Sequence, residues 1–441
     1  MINKIKTSLS KINYRLFFAL IVLGLAPTIY TTVRVFFLGQ LPGEWSFSIA
    51  GQLSWVNLIY EILNEAIILP LFYFVAKVKD DKDAFSNRIR TGMLISLGVY
   101  AVLSLIVIAF ARPMLQLMAT DATIIDASAS YIRIESIANI FSILTQFALV
   151  ALVTVNKSKY LYALTGAKLA LCLVSDTFLV STLPVSLNLG VNGIGYSNIL
   201  VNAFLLAVSL VLLAKENIKV FAKARLDFAW AREFAKIGGI SGVESLVRNV
   251  AYMVMIARMV NVVGEQGTYW VANNFIWGWL LLPVIQLGEL IKQEVAKDKE
   301  NIRRNSLGYF TITVIISVLW LVSIPVWKPF MTHILGFSDV DKLFELVLIL
   351  LFFYILYAVQ NVFDSTFYGL GKTSYMLFES VVTNTVYYGI AFILYATNVW
   401  TPSLIGIALL FGIGNAFDSI VSLVAYAHLL KKEKINILRV E

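Results

Sequence analysis

The sequence predicts an all-α integral membrane protein with about twelve spanning helices in two pseudo-symmetric six-helix lobes. Three observations carry this reading. Hydrophobic residues fill 59% of the 441 positions and charged residues only 14%, a balance that no soluble domain of this length tolerates. Apolar runs of about 20 residues, each enough to cross roughly 30 Å of hydrocarbon, recur with short polar connectors from residue 16 to residue 430. The second half of the chain also repeats motifs of the first at a spacing of about 215 to 225 residues.

In chain order the expected spans lie at about 16–38, 52–76, 91–111, 128–153, 161–181, 193–214, 237–263, 268–296, 307–326, 343–369, 376–396 and 403–430. They are helices because a spanning segment must satisfy its own backbone hydrogen bonds. They are too long and too evenly apolar to be the strands of a barrel. Pro27, Pro70 and Pro283 fall inside spans 1, 2 and 8, where a missing N–H favours a bend. The basic start MINKIKTSLSKINYR resembles the opening of a signal peptide, but no small-residue cleavage site follows, so it is expected to stay attached ahead of helix 1.

The formal net charge of +8 does not point to nucleic acid, because the basic residues are distributed by topology. They concentrate in the start, in AKVKDDKDAFSNRIR, VNKSKY, AKENIKVFAKAR and KDKENIRRNS, and in the tail KKEKINILRVE. The intervening loops GQLPGEWSFSIAGQ, STLPVSLNLG and NVVGEQGT have almost no Lys or Arg. By the positive-inside rule both termini face the cytoplasm, and an even number of spans follows. A bacterial cytoplasmic membrane is the expected location. Cys172 is the single cysteine and lies inside a span, which excludes an internal disulfide. His333 is expected in an outer loop and His428 near the end of span 12. With no P-loop, nucleotide fingerprint or metal-ligand spacing, the sequence offers neither an enzyme's constellation nor a cofactor site.

The repeat is visible in three places. FARPMLQLM at 110–118 matches VWKPFMTHI at 326–334, NKSKYLYAL at 156–164 matches GKTSYMLFE at 371–379, and FVAKVKDDKD matches EVAKDKEN with a small indel. The lobes are therefore read as residues 1–225, with helices 1–6 and a basic linker, and residues 226–441, with helices 7–12. Six is even, so the repeats run parallel about an axis along the membrane normal. Two such lobes around a central cleft suit alternating access. A channel subunit would share the repeat, but no selectivity-filter loop or re-entrant segment is visible.

With these features in place the chain resembles the multidrug and toxic compound extrusion (MATE) transporters of the multidrug, oligosaccharidyl-lipid and polysaccharide exporter superfamily. The resemblance runs through DASASYIRI in span 4, LCLVSDTFLV in span 5, LGVNGIGYSN entering span 6 and KIGGISGVESLVRNVAY in span 7. It implies a V-shaped pair of bundles exporting organic solutes by antiport with sodium ions or protons. Span 5 of the family commonly reads Asn-x-x-x-Asp, a cation site; here Cys172 takes the Asn position and Asp176 keeps the Asp. Asn198 occupies the place of a family threonine in span 6. In span 1 Arg34 falls on the family's aspartate, and in span 7 Arg248 falls on a glutamate found in some branches. Two family acids have become arginines, which weakens the case for sodium in the N-lobe.

Charges inside spans need partners or a water-filled cavity, since each costs at least about 2.5–3.5 kcal/mol on insertion scales. Arg34 and Asp176 both lie roughly 7 Å in from the outer ends of their helices, so an ion pair between them is expected, with snorkelling of Arg34 to the headgroups as the alternative. In NLIYEILNEAIILP, Asn57, Glu61 and Glu65 share one face with Asn64 beside them. The two glutamates repel when both are ionised, which makes them proton-coupling candidates; a structural stripe paired with Arg34 or Arg248 is the other reading. In span 7, Glu244 and Arg248 are placed to neutralise each other at i,i+4. Arg258 lies one residue from the repeat-equivalent of Arg34, and Asp418, with Asn415, is a C-lobe acid. Lys168, Asp364 and Glu379 are expected to snorkel or contact loops. Most tryptophans anchor at the interface, while Trp277 and Trp279 lie deeper.

The sequence-level expectation is a monomeric MATE-like secondary transporter that moves small organic or amphiphilic compounds among membrane lipids, coupled to H+ rather than Na+. Its alternative is a flippase for lipid-linked or anionic amphiphiles. A non-transporting membrane scaffold is a third class.

Overall fold

A computed structural model describes residues 2–42, 45–78, 80–155, 157, 159–218, 220–221 and 225–437, the side chains of Leu69, Phe72, Tyr73, Ala76 and Glu244 aside. The described residues form helices and connectors. They are α1 (Ile2–Ser10), α2 (Tyr14–Gly39), α3 (Ser46–Ala76), α4 (Lys82–Leu117), α5 (Ile125–Thr154), α6 (Lys159–Leu179) and α7 (Val191–Lys215). Then follow α8 (Ala231–Val262), α9 (Gln266–Leu280), α10 (Leu282–Lys297), α11 (Glu300–His333), α12 (Val340–Gly369), α13 (Thr373–Ala396) and α14 (Leu404–Lys432). Each of the twelve expected spans falls on one of these helices, counting α9 and α10 together.

Ten of the helices are long and apolar enough to cross a membrane, and α9 with α10 adds an eleventh if the two are one broken span. The 31 residues of α3 supply length for the twelfth, at roughly 1.5 Å per residue. Prolines behave differently by position. Pro27 and Pro70 sit inside continuous helices. Pro283 stands at the start of α10, immediately after a 52° bend, because a proline in the first helical turn sacrifices an N–H that has no partner there anyway. The bend expected at Pro283 in span 8 is therefore found, and it divides that span into two helical pieces. The expected outer-loop position of His333 is corrected, since it is the last residue of α11.

Three helices carry π-helical segments: Met253–Ala257 in α8, Ile276–Leu280 in α9 and Thr383–Tyr388 in α13. A π turn adds a residue to the helical repeat and re-aims the side chains that follow it.

Two compact units result. One holds residues 33–267 and the other residues 1–32 with 268–441, so one boundary falls inside α2 and the other in the first turn of α9. In the first unit α5 packs on α4 and α7, and α3 packs on α5 and α8. Its core includes Trp55, Tyr60, Phe74, Ile89, Phe147 and Trp230. The close approach of α8 to α3 depends on small residues. A Cβ at Gly238 would lie 2.1 Å from the Ala66 carbonyl oxygen, and one at Gly242 would lie 3.1 Å from the Ala66 methyl.

In the second unit α12 packs on α14, α10 and α11, and the short amphipathic α1 lies along α11. Ser8 is buried there and accepts a hydrogen bond from the Gly308 amide at 2.8 Å. Phe363, Phe367, Ala425, Tyr426 and Leu429 form a small core between α12 and α14.

The two sequence repeats close their last helices in the same way. Lys157, just before α6, pairs with Glu216 at the end of α7 at 3.0 Å, and the Tyr160 hydroxyl donates to the same carboxylate at 2.9 Å. Lys372, just before α13, pairs with Glu433 at the end of α14, which also holds Lys299 at 2.9 Å. Hydrogen bonds from their partners hold the Glu216 carboxyl below its ordinary range and the Glu433 carboxyl down at about 2. These repeat-equivalent clasps support the register proposed from NKSKY and GKTSY.

Candidate functional site

Arg34 lies five residues before the end of α2 and is 8% exposed, while Asp176 on α6 is fully buried. Neither could be left alone at that burial, and they meet. Arg34 Nε donates to Asp176 Oδ2 at 2.6 Å, and Nη2 lies 3.4 Å from Oδ1. Arg34 Nη2 also donates to Asn198 Oδ1 on α7 at 2.7 Å. Asn198 Nδ2 in turn donates to Glu135 Oε1 on α5 at 2.7 Å. Four helices thus contribute one side chain each to a continuous network. Cys172, one turn before Asp176, is buried as a free thiol.

Glu135 was passed over at the sequence level. The signal was present: a glutamate inside an apolar span, immediately after the quoted DASASYIRI. It is 4% exposed, as buried as the residues that drew attention.

On α3 the expected mutual repulsion of Glu61 and Glu65 is replaced by a shared cation. Arg248 of α8 forms a short hydrogen-bonded ion pair with Glu65, and its Nη2 lies 3.8 Å from Glu61. Arg248 is also within 3.5 Å of Ser245 Oγ. Glu244, its other expected partner, has its side chain outside the described residues. Asn57 is exposed and Asn64 half-buried, and Asn64 Oδ1 has no hydrogen-bond partner among the described residues. Arg258 donates from Nε to the Leu117 carbonyl at 3.0 Å, which caps the end of α4.

The second unit gathers acids that the sequence had assigned to its periphery. Gln360 of α12 is buried and donates to Asp418 Oδ2 of α14 at 2.7 Å and to Asp364 Oδ2 at 3.2 Å. Thr383, the first residue of the π segment of α13, donates to Asp418 Oδ1 at 2.7 Å, and Ser422 donates to Asp364 Oδ1 at 2.7 Å. Glu379 of α13 lies beside both aspartates and is 3% exposed. Asp364 and Glu379 therefore do not snorkel, because the three helices turn their polar faces toward one another. Asp418, the C-lobe acid singled out in the sequence, accepts from Gln360 and Thr383. Trp277 stacks edge-on against Tyr354 and Tyr357 and stays 41% exposed, while Trp279 donates to Thr32 Oγ1 at 3.0 Å.

Residues 79–179 match the MatE family model. The whole chain superposes on an inward-facing multidrug resistance MATE family transporter of the MOP superfamily, with a TM-score of 0.76, 16% identity, and 92% of this chain against 95% of that one covered. This chain has the fold of MATE transporters. The MATE transporter VcmN of Vibrio cholerae, in a mutant form, matches over 98% of both chains with a TM-score of 0.68 and 14% identity. A MOP superfamily transporter from Pyrococcus furiosus, described for the reverse polarity of its binding pocket and a suggested different function, matches over 96% of both chains with a TM-score of 0.69 and 15% identity. No curated protein matches the sequence. On this fold Arg34 brings a fixed positive charge to Asp176.

Proposed function

We propose that this multi-pass membrane protein is a secondary active transporter that exports small organic or amphiphilic compounds across the bacterial cytoplasmic membrane by proton-coupled antiport, with both termini cytoplasmic. The MATE fold supports the transporter class. The observation that carries the coupling argument is the Arg34–Asp176 pair. A guanidinium held at 2.6 Å occupies the charge that a sodium ion bound to Asp176 would supply, so Asp176 has no need of one.

Coupling then falls to acids with another balance of charge. Asp364, Glu379 and Asp418 combine three carboxyls with hydroxyl and amide donors from α12, α13 and α14. Three carboxylates so close repel one another, and uptake of a proton relieves the repulsion. Glu61 and Glu65 share Arg248 and serve the fold more readily than the cycle.

The test is uptake of labelled cationic and anionic amphiphiles into proteoliposomes under an imposed proton or sodium gradient. Proton-driven movement of the cationic probe is the expected result. Movement driven by sodium alone would overturn the coupling assignment. Movement of the anionic probe with neither gradient would favour the second reading, a flippase for lipid-linked or anionic amphiphiles. That reading draws support from the partly exposed Arg248 guanidinium, 34% accessible, and from the likeness to the Pyrococcus furiosus protein with its reversed pocket.

A further inference from the structure

The Arg34 network holds two acids for one cation. Its three ionisable members, Arg34, Asp176 and Glu135, are all less than a tenth exposed. Arg34 is committed to Asp176 by direct contact, and the Asn198 amide links it to Glu135. That amide is fixed in orientation. Its oxygen accepts from the guanidinium, so its nitrogen must donate toward Glu135, whether the acid is neutral or ionised.

The groups that face Glu135 carry charges of both signs. Arg34 on α2 is the cation and Asp176 on α6 the second acid, while Asn198 on α7 and Tyr131 on α5 hydrogen-bond the carboxyl. Tyr60 on α3 and the buried Cys172 on α6 are further titratable neighbours, and α4 brings Tyr100 and Ser104 against Tyr60. A buried acid set between a cation and a second acid responds in its charge to changes around it.

We propose that Glu135 is a proton-binding carboxyl of the 33–267 unit, loaded and unloaded beside a permanent Arg34–Asp176 pair. With the proton bound, the network is electrically neutral. On release the O–H bond of Glu135 breaks, its electron pair stays on the carboxylate, and the proton passes to solvent water. The network then carries one net negative charge, and Asn198 transmits its pull to Arg34. The inference rests on the proton-coupled reading above and adds a residue to it.

The experiment is an infrared difference spectrum between acidic and alkaline buffer on the full chain in lipid nanodiscs, following the C=O stretch of protonated carboxyl groups. Glu135→Gln is expected to lose one titrating carboxyl band and to release one proton fewer per chain on the alkaline jump. Glu135→Asp is expected to keep the band at a shifted midpoint. A titrating spectrum unchanged in Glu135→Gln overturns the proposal. If Glu135→Gln does not fold, an unshifted midpoint in Glu135→Asp overturns it instead. The measurement needs no substrate and no gradient. Loss of the band alongside absent gradient-driven uptake would therefore sink the antiport reading alone, and intact uptake alongside an unchanged spectrum would sink only the role of Glu135.

Discussion

Replacing Asp176 by Asn should destabilise the protein far more than replacing both members of its ion pair. Asp176 is fully buried and Arg34 nearly so, and they share one strong contact at 2.6 Å and one weaker at 3.4 Å. Removing one partner of a buried pair leaves an uncompensated charge, at a cost of about 3–5 kcal/mol. Here the retained bond from Arg34 to Asn198 and the carboxyl of Glu135 beyond it soften the loss, so Asp176→Asn is expected near the lower end, about 3 kcal/mol. Arg34→Leu should cost a similar amount, because two acids then face each other without a cation. If the sites were independent, the double variant would lose about 6 kcal/mol. Arg34→Leu/Asp176→Leu should instead fall within about 1–2 kcal/mol of the parent, since an apolar replacement of a buried pair is often neutral. Reversible unfolding in mixed micelles, read by tryptophan fluorescence, supplies the four free energies. A double variant as unstable as the sum of the singles would refute the argument that charge pairing, rather than packing, governs these positions.

Other substitutions probe separate features. Gly238→Ala should cost several kcal/mol, because its Cβ would sit 2.1 Å from the backbone oxygen of Ala66 and the helices must part. Gly239→Ala next door meets nothing within 4 Å and should be neutral or stabilising by up to about 1 kcal/mol, so equal thermal stability of the two variants would contradict the α3–α8 contact. Gln360→Leu strips donors from both Asp364 and Asp418 and should cost about 2–3 kcal/mol, visible in the same unfolding assay and absent if those carboxylates are solvated. For Glu433 the folded carboxyl is held at about 2 against an ordinary 4.5. A depressed acid stabilises fully above its unfolded value and loses the contribution as pH falls through the folded one. The difference in midpoint temperature between the parent and Glu433→Gln should therefore be constant above pH about 5 and shrink toward pH about 2. A difference that grows on acidification would exclude the Lys299–Glu433–Lys372 clasp.

The helices were legible because lipid imposes a length and a composition on each of them, and both leave long marks in the chain. The Arg34–Asp176 pair was legible for a related reason: two charges at matching depth in apolar helices need each other. The Glu65–Arg248 pair was legible only as one of several pairings, since Arg34 also suited the α3 stripe and Glu244 also suited Arg248. Spacing along one helix says what shares a face, and only packing says what stands opposite. The acids of α12 and α13 were misplaced by the same limit. Distance from a predicted span end suggested snorkelling for Asp364 and Glu379, whereas Thr383, the first residue of a π segment in α13, bonds Asp418, and Glu379 one turn earlier is buried. No periodicity rule for regular helices anticipates such a segment. Nor was the break at Leu281 visible as more than a proline, since Pro27 and Pro70 look alike in sequence and leave their helices continuous.

The two lysine clasps also serve as a ruler between the duplicated halves. From Lys157 to Lys372 is about 215 positions, while from Glu216 to Glu433 is about 217. The later clasp thus closes over a slightly longer stretch of chain than the earlier one. Between its residues α13 spans 24 residues where α6 spans 21, and it winds one stretch as a π-helix. A π turn lets a helix hold an extra residue while its two ends stay in place. Matching fastenings can in this way join helices whose interiors differ in chemistry.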